Sequence, residues 1–148
     1  MFKLALWSVS QLNSQLRKTT HMNVILWILQ VLLGLLFIWA GGFKLVVPAS
    51  DLAAQAATGG IALPGMFLKF IGLCELLGGF GLILPGVFKM RQYLIPLAAL
   101  GLLIIMIGAI VVVLMNGDVA TAVTNVVISL MLAFVAYGRA RLRPLGQS

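Results

Sequence analysis

Residues 94–115 read LIPLAALGLLIIMIGAIVVVLM, and residues 119–137 read VATAVTNVVISLMLAFVAY. Neither stretch contains a charged residue, and only Asn116-Gly117-Asp118 separates them. A helix needs about 20 mostly apolar residues to cross a hydrocarbon layer of about 30 Å, so each stretch is long enough to span. Inside lipid every backbone N–H and C=O must be bonded within the protein, which makes a helix the form such a stretch takes. The short polar connection predicts a tight turn and two antiparallel neighbours. Pro96 falls in the first turn of its helix, where a missing N–H is tolerated.

Reading outward from this pair gives two further spans. Residues 24–47 carry one charge, Lys44, before Pro48 ends the run; residues 66–84 carry Lys69 and Glu75 and stop at Pro85-Gly86. The 148-residue chain is 62% hydrophobic and 9% charged, against roughly 25% charged residues in soluble domains. A soluble protein of this size has too much surface to hide that apolar content. The sequence therefore predicts an all-α membrane protein, with a four-helix transmembrane domain over 22–148 and an extension over 1–21.

Basic residues set the orientation. Lys3, Arg17 and Lys18 precede the first span, Lys89 and Arg91 lie between the second and third, and Arg139, Arg141 and Arg143 follow the fourth. The opposite connections hold Asp51 and Asp118 outside the spans. The positive-inside rule places both termini in the cytoplasm, with Trp27, Tyr93 and Tyr137 as aromatic anchors at that interface. In the extension, Phe2, Leu6, Val9, Leu12 and Leu16 recur at helical spacing opposite Lys3, Ser10 and Arg17, as in an amphipathic helix lying in the interface. A translation start at Met22 is the alternative to one at Met1. In the outer connection, residues 51–57 favour a short helix, with Ser50 or Asp51 as its cap and Gly59-Gly60 as its end.

Composition also excludes function classes. The formal charge is +7, but the basic residues sit at the ends of apolar runs and form no contiguous surface for nucleic acid. The single cysteine, Cys74, rules out an intramolecular disulfide and a CxxC pair, and the single histidine, His21, lies outside the spans. No nucleophile–base arrangement, metal-ligand cluster, phosphate loop or carboxylate pair is present, so catalysis by this chain alone is not expected.

Small and polar residues recur at steps of three and four on each span, leaving the large apolar residues for lipid. The first carries Gln30, Gly34, Phe37, Gly41 and Lys44; the second Gly72, Glu75, Gly79 and Leu82. The third carries Ala98, Gly101, Ile105, Gly108 and Val112; the fourth Thr121, Asn125 and Ser129. Packing faces account for most of these, with Gly34, Gly41, Gly72, Gly79, Gly101 and Gly108 as the close-contact positions.

Glu75 stands apart, because a carboxylate near the middle of the bilayer costs several kcal/mol unless neutralised, paired or wetted. Lys44, near the outer end of the first span, is its expected partner, while Lys69 is rotated away and snorkels outward. Two readings fit the pair: an ion-pair clamp between two helices, or the polar end of a pocket for the headgroup of a quinone or another small amphiphile. Gln30, Trp39 and Asn125 are the further candidates for that pocket. Asn125, with Thr121 and Ser129, either completes it or bonds across helices.

The segments Trp27-Ile-Leu-Gln30, Ala40-Gly-Gly-Phe-Lys44, Ile71-Gly-Leu-Cys-Glu-Leu-Leu-Gly-Gly-Phe-Gly-Leu-Ile-Leu-Pro85 and Ala136-Tyr-Gly-Arg139 together resemble the DoxX-like family of small membrane proteins. The resemblance covers Met22 to about Pro144. It implies a four-helix membrane bundle in a bacterial inner membrane, with Lys44 and Glu75 at the matching polar positions. The family's namesake is similar to the membrane subunit of a thiosulfate:quinone oxidoreductase, and other relatives are linked to oxidative-stress complexes or to maturation of partner proteins. By that analogy the chain is expected to be a non-catalytic accessory of a membrane redox or stress system, touching quinone, with redox or stress-response subunits as partners and a homo-oligomer left open. The alternatives are a small proton-coupled transporter of amphiphiles, with Glu75 as the proton carrier, and a purely structural or chaperone-like membrane protein. The transporter reading lacks the repeat and broken helix such proteins use.

Overall fold

The computed structural model describes the backbone of residues 1–58, 61, 63–88, 91 and 93–142, and the side chains of all of these except 4, 5, 10, 13–19, 58 and 142. The expected helix end at Gly59-Gly60 and the basic residues Lys89 and Arg143 lie outside the described residues. So do the side chains of Ser10, Leu16 and Arg17 of the expected amphipathic helix, and that of the basic residue Lys18.

Among the described residues five helices follow one another: α1 (Phe2–Val46), α2 (Ala49–Thr58), α3 (Gly65–Val87), α4 (Leu94–Met115) and α5 (Val119–Tyr137), the last continued by a π-helical turn over Gly138–Leu142. Four membrane-length stretches fall on α1, α3, α4 and α5: Thr20–Val46, Gly65–Val87, Leu94–Met115 and Val119–Arg141. In the most apolar part of each, only 17–33% of residues are buried inside the protein. The rest, including Leu35, Phe70, Leu77, Ile104 and Leu130, point outward. Such a surface is stable only in hydrocarbon, so the chain is a multi-pass integral membrane protein.

Several boundaries differ from the expected ones. Residues 2–21 continue α1 without a break instead of forming a separate element. Pro85 does not end α3, which runs on to Val87. The missing Pro85 N–H removes one bond in the last turn, but the Phe88 N–H still reaches the Leu84 carbonyl at 2.9 Å, so the helix closes beyond the proline. Ser50 and Asp51 are not caps: α2 begins at Ala49, and the Pro48 carbonyl accepts from the N–H groups of Asp51 and Leu52. Asp51 instead sits in the first turn, where its charge complements the helix dipole. The α4–α5 connection is as tight as expected. Gly117 adopts φ +76°, the left-handed region that glycine enters freely, and Asp118 caps α5 by accepting from the Thr121 N–H at 3.0 Å.

Helix α1 packs along α3, α3 along α4, and α4 along α5, while α1 and α5 meet over a small area. The α1–α3 seam is a glycine seam in antiparallel register. Gly34 lies opposite Gly79, Gly41 opposite Gly72, and Trp27 opposite Gly86, so a seven-residue step on one helix matches a seven-residue step on the other. A Cβ on Gly79 would stand 2.7 Å from the Gly34 carbonyl oxygen, so the backbones touch and nothing larger than hydrogen fits. The glycines expected to pack on α4 behave differently. Gly101 and Gly108 have open space where a Cβ would be, because α4 meets α3 through Leu102 against Gly78 and Ala98 against Gly81. The apolar core gathers Phe37, Leu82, Ile95, Ala99, Leu102, Leu132 and Val135, toward the basic end of the bundle. The other half is left less filled.

Candidate functional site

That half holds the one ion pair drawn between membrane-spanning segments among the described residues. Lys44 Nζ donates to Glu75 Oε2 at 2.5 Å. Glu75 is 3% exposed and the Lys44 side chain 29%. Both charges follow a seam glycine by three positions, Gly41 on α1 and Gly72 on α3. The helices are antiparallel, so one charge lies about 4.5 Å outward of the crossing and the other about 4.5 Å inward. The long lysine stem closes that gap by lying over Gly72, where a Cβ would stand 2.7 Å from Lys44 Cβ. The glycine seam thus admits the stem and carries the ammonium down to the carboxylate. Glu75 itself is ten positions into α3, about 15 Å down and near the middle of the hydrocarbon layer.

The pair stands at one end of a cavity of about 400 Å³ between α3 and α4. Its walls are otherwise apolar, with Phe67, Leu68 and Ile71 on one side and Ile105, Ala109 and Val112 on the other. Leu63, in the connection before α3, lies at the outer end, so the space runs from the outer surface inward to Glu75. Gly108 lines it as well, and its missing side chain widens the cavity instead of serving a helix contact. Lys69 does not reach outward freely as expected. It donates to the Leu45 carbonyl at 3.0 Å, near the end of α1, where a cation also meets the favourable end of the helix dipole.

The remaining sequence candidates fall elsewhere. Trp39 is 77% exposed and faces outward, away from the pair. Asn125 lies on α5, which contributes no wall among the described residues, and its carbonyl accepts from Ser129 Oγ at 2.8 Å within the same helix. Thr121 donates its hydroxyl to Asp118. The Thr121 and Ser129 hydroxyls are therefore satisfied locally instead of bonding across helices. Gln30 is on the right face of α1 but fourteen positions before Lys44, about 21 Å away along the axis. It belongs to a different cluster.

That second cluster is at the basic end and centres on Arg139, which the sequence marks as an orientation signal and as part of the Ala136-Tyr-Gly-Arg139 segment but not as a site residue. Arg139 is 4% exposed. Its Nε donates to Gln30 Oε1 at 2.9 Å and its Nη1 to Asn23 Oδ1 at 2.8 Å, while its guanidinium carbon lies 5.5 Å from the centre of the Trp27 ring. Gln30 in turn donates through Nε2 to the Leu82 carbonyl at 2.5 Å, joining α1, α3 and the end of α5. The signal was present in the spacing: Ser129, Leu132, Val135 and Arg139 form one buried stripe that continues past Tyr137.

Among the described residues no three His, Cys, Asp or Glu side chains converge on one point. The Cys74 thiol is free and half-buried, adjacent to Glu75 in sequence but on another face of the helix. Comparison with curated proteins and with solved structures finds no match. The sequence profile of the DoxX-like family matches residues 28–136. That range contains Lys44, Glu75, all five seam glycines and every wall of the cavity, and the chain belongs to the DoxX-like family.

Proposed function

We propose that this protein is a non-catalytic membrane component of a redox or oxidative-stress system, and that it holds the headgroup of a quinone or a similar amphiphile at Lys44 and Glu75. The observation that supports this reading is the union of an apolar cavity of about 400 Å³ with a single charged pair at its inner end. Ligand sites have this character: mostly apolar walls, a few convergent polar groups and a volume of roughly 300–1,000 Å³. The Lys44 ammonium would donate to a carbonyl of the oxidised ring, the Glu75 carboxylate would accept from a hydroxyl of the reduced ring, and an isoprenoid or acyl tail would follow the apolar walls outward. Electron transfer would be supplied by the bound ring and by a partner subunit, while Lys44 and Glu75 would hold and orient the ring.

The test is to purify the full-length protein in mild detergent and identify the lipids and proteins that travel with it by mass spectrometry. Wild type is expected to retain quinone or a redox subunit, and Glu75→Gln to lose it at equal expression. A wild-type protein that travels alone, with a Glu75→Gln variant that differs only in stability, would reduce the pair to a clamp between α1 and α3.

A further inference from the structure

Two residues on the walls of the cavity beside Glu75 face out of the bundle. Leu68, Ile71, Ile105, Ala109 and Val112 are half-buried, whereas Phe67 on α3 and Gly108 on α4 are exposed. Helical neighbours explain the difference. Gly108 stands one turn from Ile105 and Val112 on the cavity wall, and one turn from the exposed Ile104 and Val111 on the lipid-facing surface. Phe67 likewise stands one turn from Ile71 on the wall and one turn from the exposed Phe70. Each residue is therefore the edge at which its helix turns from cavity to lipid. Leu63, at the outer end of the space, is half-buried, so the exposed part of the wall is on the flank of the bundle.

The packing of α3 on α4 accounts for the gap. On the basic half of the bundle, Leu102 fills the space over Gly78, and Ala98 meets Gly81. Nearer the outer end, Gly108 meets nothing within 4 Å of where a Cβ would be. Open surroundings alone do not mark a site, because Gly101 has them too and lines no wall. Depth adds the second argument. Gly108 is seven positions before the end of α4 at Met115, about 10 Å below it, and Phe67 is two positions after Gly65, about 3 Å below the start of α3. Glu75 lies deeper than both. A molecule whose polar end reaches Glu75 and whose tail runs up the cavity meets this edge while still at the depth of lipid tails. A tail that leaves there enters hydrocarbon, whereas one that continues past Leu63 enters headgroups and water.

We infer that the cavity opens sideways into the outer leaflet between Phe67 and Gly108, and that Gly108 is a specificity-determining residue for the tail of the amphiphile. This rests on the reading of Lys44 and Glu75 as the seat of a quinone-like headgroup. The missing side chain at 108 leaves the tail its way out, and a larger residue there narrows the opening without touching the ion pair.

The test is thermal unfolding of the full-length protein in a neutral detergent with decylubiquinone, which carries a tail, or with duroquinone, which is a ring without one. A ligand that binds the folded state alone raises Tm, by about 5 °C or more when it is in roughly 100-fold excess over its Kd. Wild type is expected to show that rise with both, each at its own excess. Gly108→Leu is expected to lose about tenfold in affinity for decylubiquinone, which halves the rise at the same concentration, and to keep the full rise with duroquinone. Gly101→Leu, at an equally open position away from the cavity, is expected to match wild type with both. Should Gly108→Leu fail to fold, Gly108→Ala carries the decision, with the same pattern at smaller size. An undiminished decylubiquinone rise in Gly108→Leu, an equal loss with duroquinone, or the same loss in Gly101→Leu would overturn the sideways opening and leave the headgroup reading standing. No rise with either probe in wild type, or rises that Glu75→Gln leaves unchanged, would overturn the headgroup reading and this inference with it.

Discussion

Gly41 and Gly72 bring the backbones of α1 and α3 into contact: a Cβ placed on Gly41 would fall against the Gly72 carbonyl oxygen and stand 2.6 Å from the Leu76 backbone nitrogen. Backbone atoms cannot swing aside as a flexible side chain can. Gly41→Ala therefore has to push the helices apart, and the seam glycines seven positions away on each helix lose contact with it. The expected loss is about 1–3 kcal/mol, the usual range for overpacking. Gly42→Ala is the matched control, since open space surrounds its Cβ position. Replacing a glycine inside a helix there is expected to be neutral or stabilising by up to about 1 kcal/mol. Thermal or denaturant unfolding in detergent should give the two neighbours opposite signs.

The Lys44–Glu75 pair predicts unequal single-residue effects. Lys44→Met leaves a carboxylate that is 3% exposed without its cation, whereas Glu75→Gln leaves an ammonium whose side chain is 29% exposed and can turn outward. Removing one partner of a buried pair costs about 3–5 kcal/mol, and a partly exposed survivor less. Lys44→Met should therefore be the more damaging change. The double variant Lys44→Met/Glu75→Gln should be more stable than the sum of the two predicts. A double-mutant cycle on unfolding free energy measures the difference, and additivity would mean the pair contributes no coupling.

How much of this was legible before the fold was known depends on which dimension of a helix carries the information. Spans were readable from length and hydropathy, and the bounds of α4 and α5 match the expected 94–115 and 119–137. The α1–α3 glycines were readable because the stripe is a matter of rotation about the helix axis, which three- and four-residue spacing reports. Depth along the axis is a separate coordinate. Gln30 shares the rotation of Lys44 but not its depth, so face alone drew it into the wrong site. Trp39 failed in rotation, because an aromatic in a lipid-facing position reads the same as one in a pocket. Gly101 and Gly108 failed because a glycine stripe does not say which neighbouring helix it meets, and here Gly78 and Gly81 of α3 are the residues that receive α4. Arg139 was hidden by its charge: the same residue type that orients a membrane protein from its loops also serves, one turn inside the bundle, as a buried hub.

Asp118 predicts a pH dependence at the outer turn. The Thr121 hydroxyl, and then the Thr121 backbone N–H, hold its carboxyl below the ordinary carboxylate range. A group whose pKa is lower in the folded state adds stability that is fully present above its unfolded value, near 4, and is lost as pH falls through the folded value. Stability should therefore decline on the acid side of about pH 4. Thr121→Val keeps the backbone bond and removes the hydroxyl, so its decline should begin at the same pH, level off at a higher pH and be smaller in total. Unfolding temperatures measured from pH 6 down to pH 2 test this, and identical profiles for the two proteins would refute it.

Gln30 gives the most demanding prediction, because it is fully buried and serves two helices at once. Its oxygen accepts from Arg139 Nε, and its nitrogen donates to the Leu82 carbonyl near the end of α3. Gln30→Leu keeps much of the volume but leaves both partners unbonded, one of them a charged donor whose Nη2 already lacks a partner among the described residues. Each buried unsatisfied polar group costs about 1–3 kcal/mol, and a charged one more, so a loss of about 3 kcal/mol or above is expected. Ser129→Ala, which removes only a bond back to the Asn125 carbonyl on its own helix, should cost less than about 1 kcal/mol. The two variants separate a network that ties α1, α3 and α5 together from a polar residue that satisfies itself. If Gln30→Leu proved as mild as Ser129→Ala, the basic end of the bundle would not depend on Arg139 being held, and the uncompensated guanidinium would have to be reaching water.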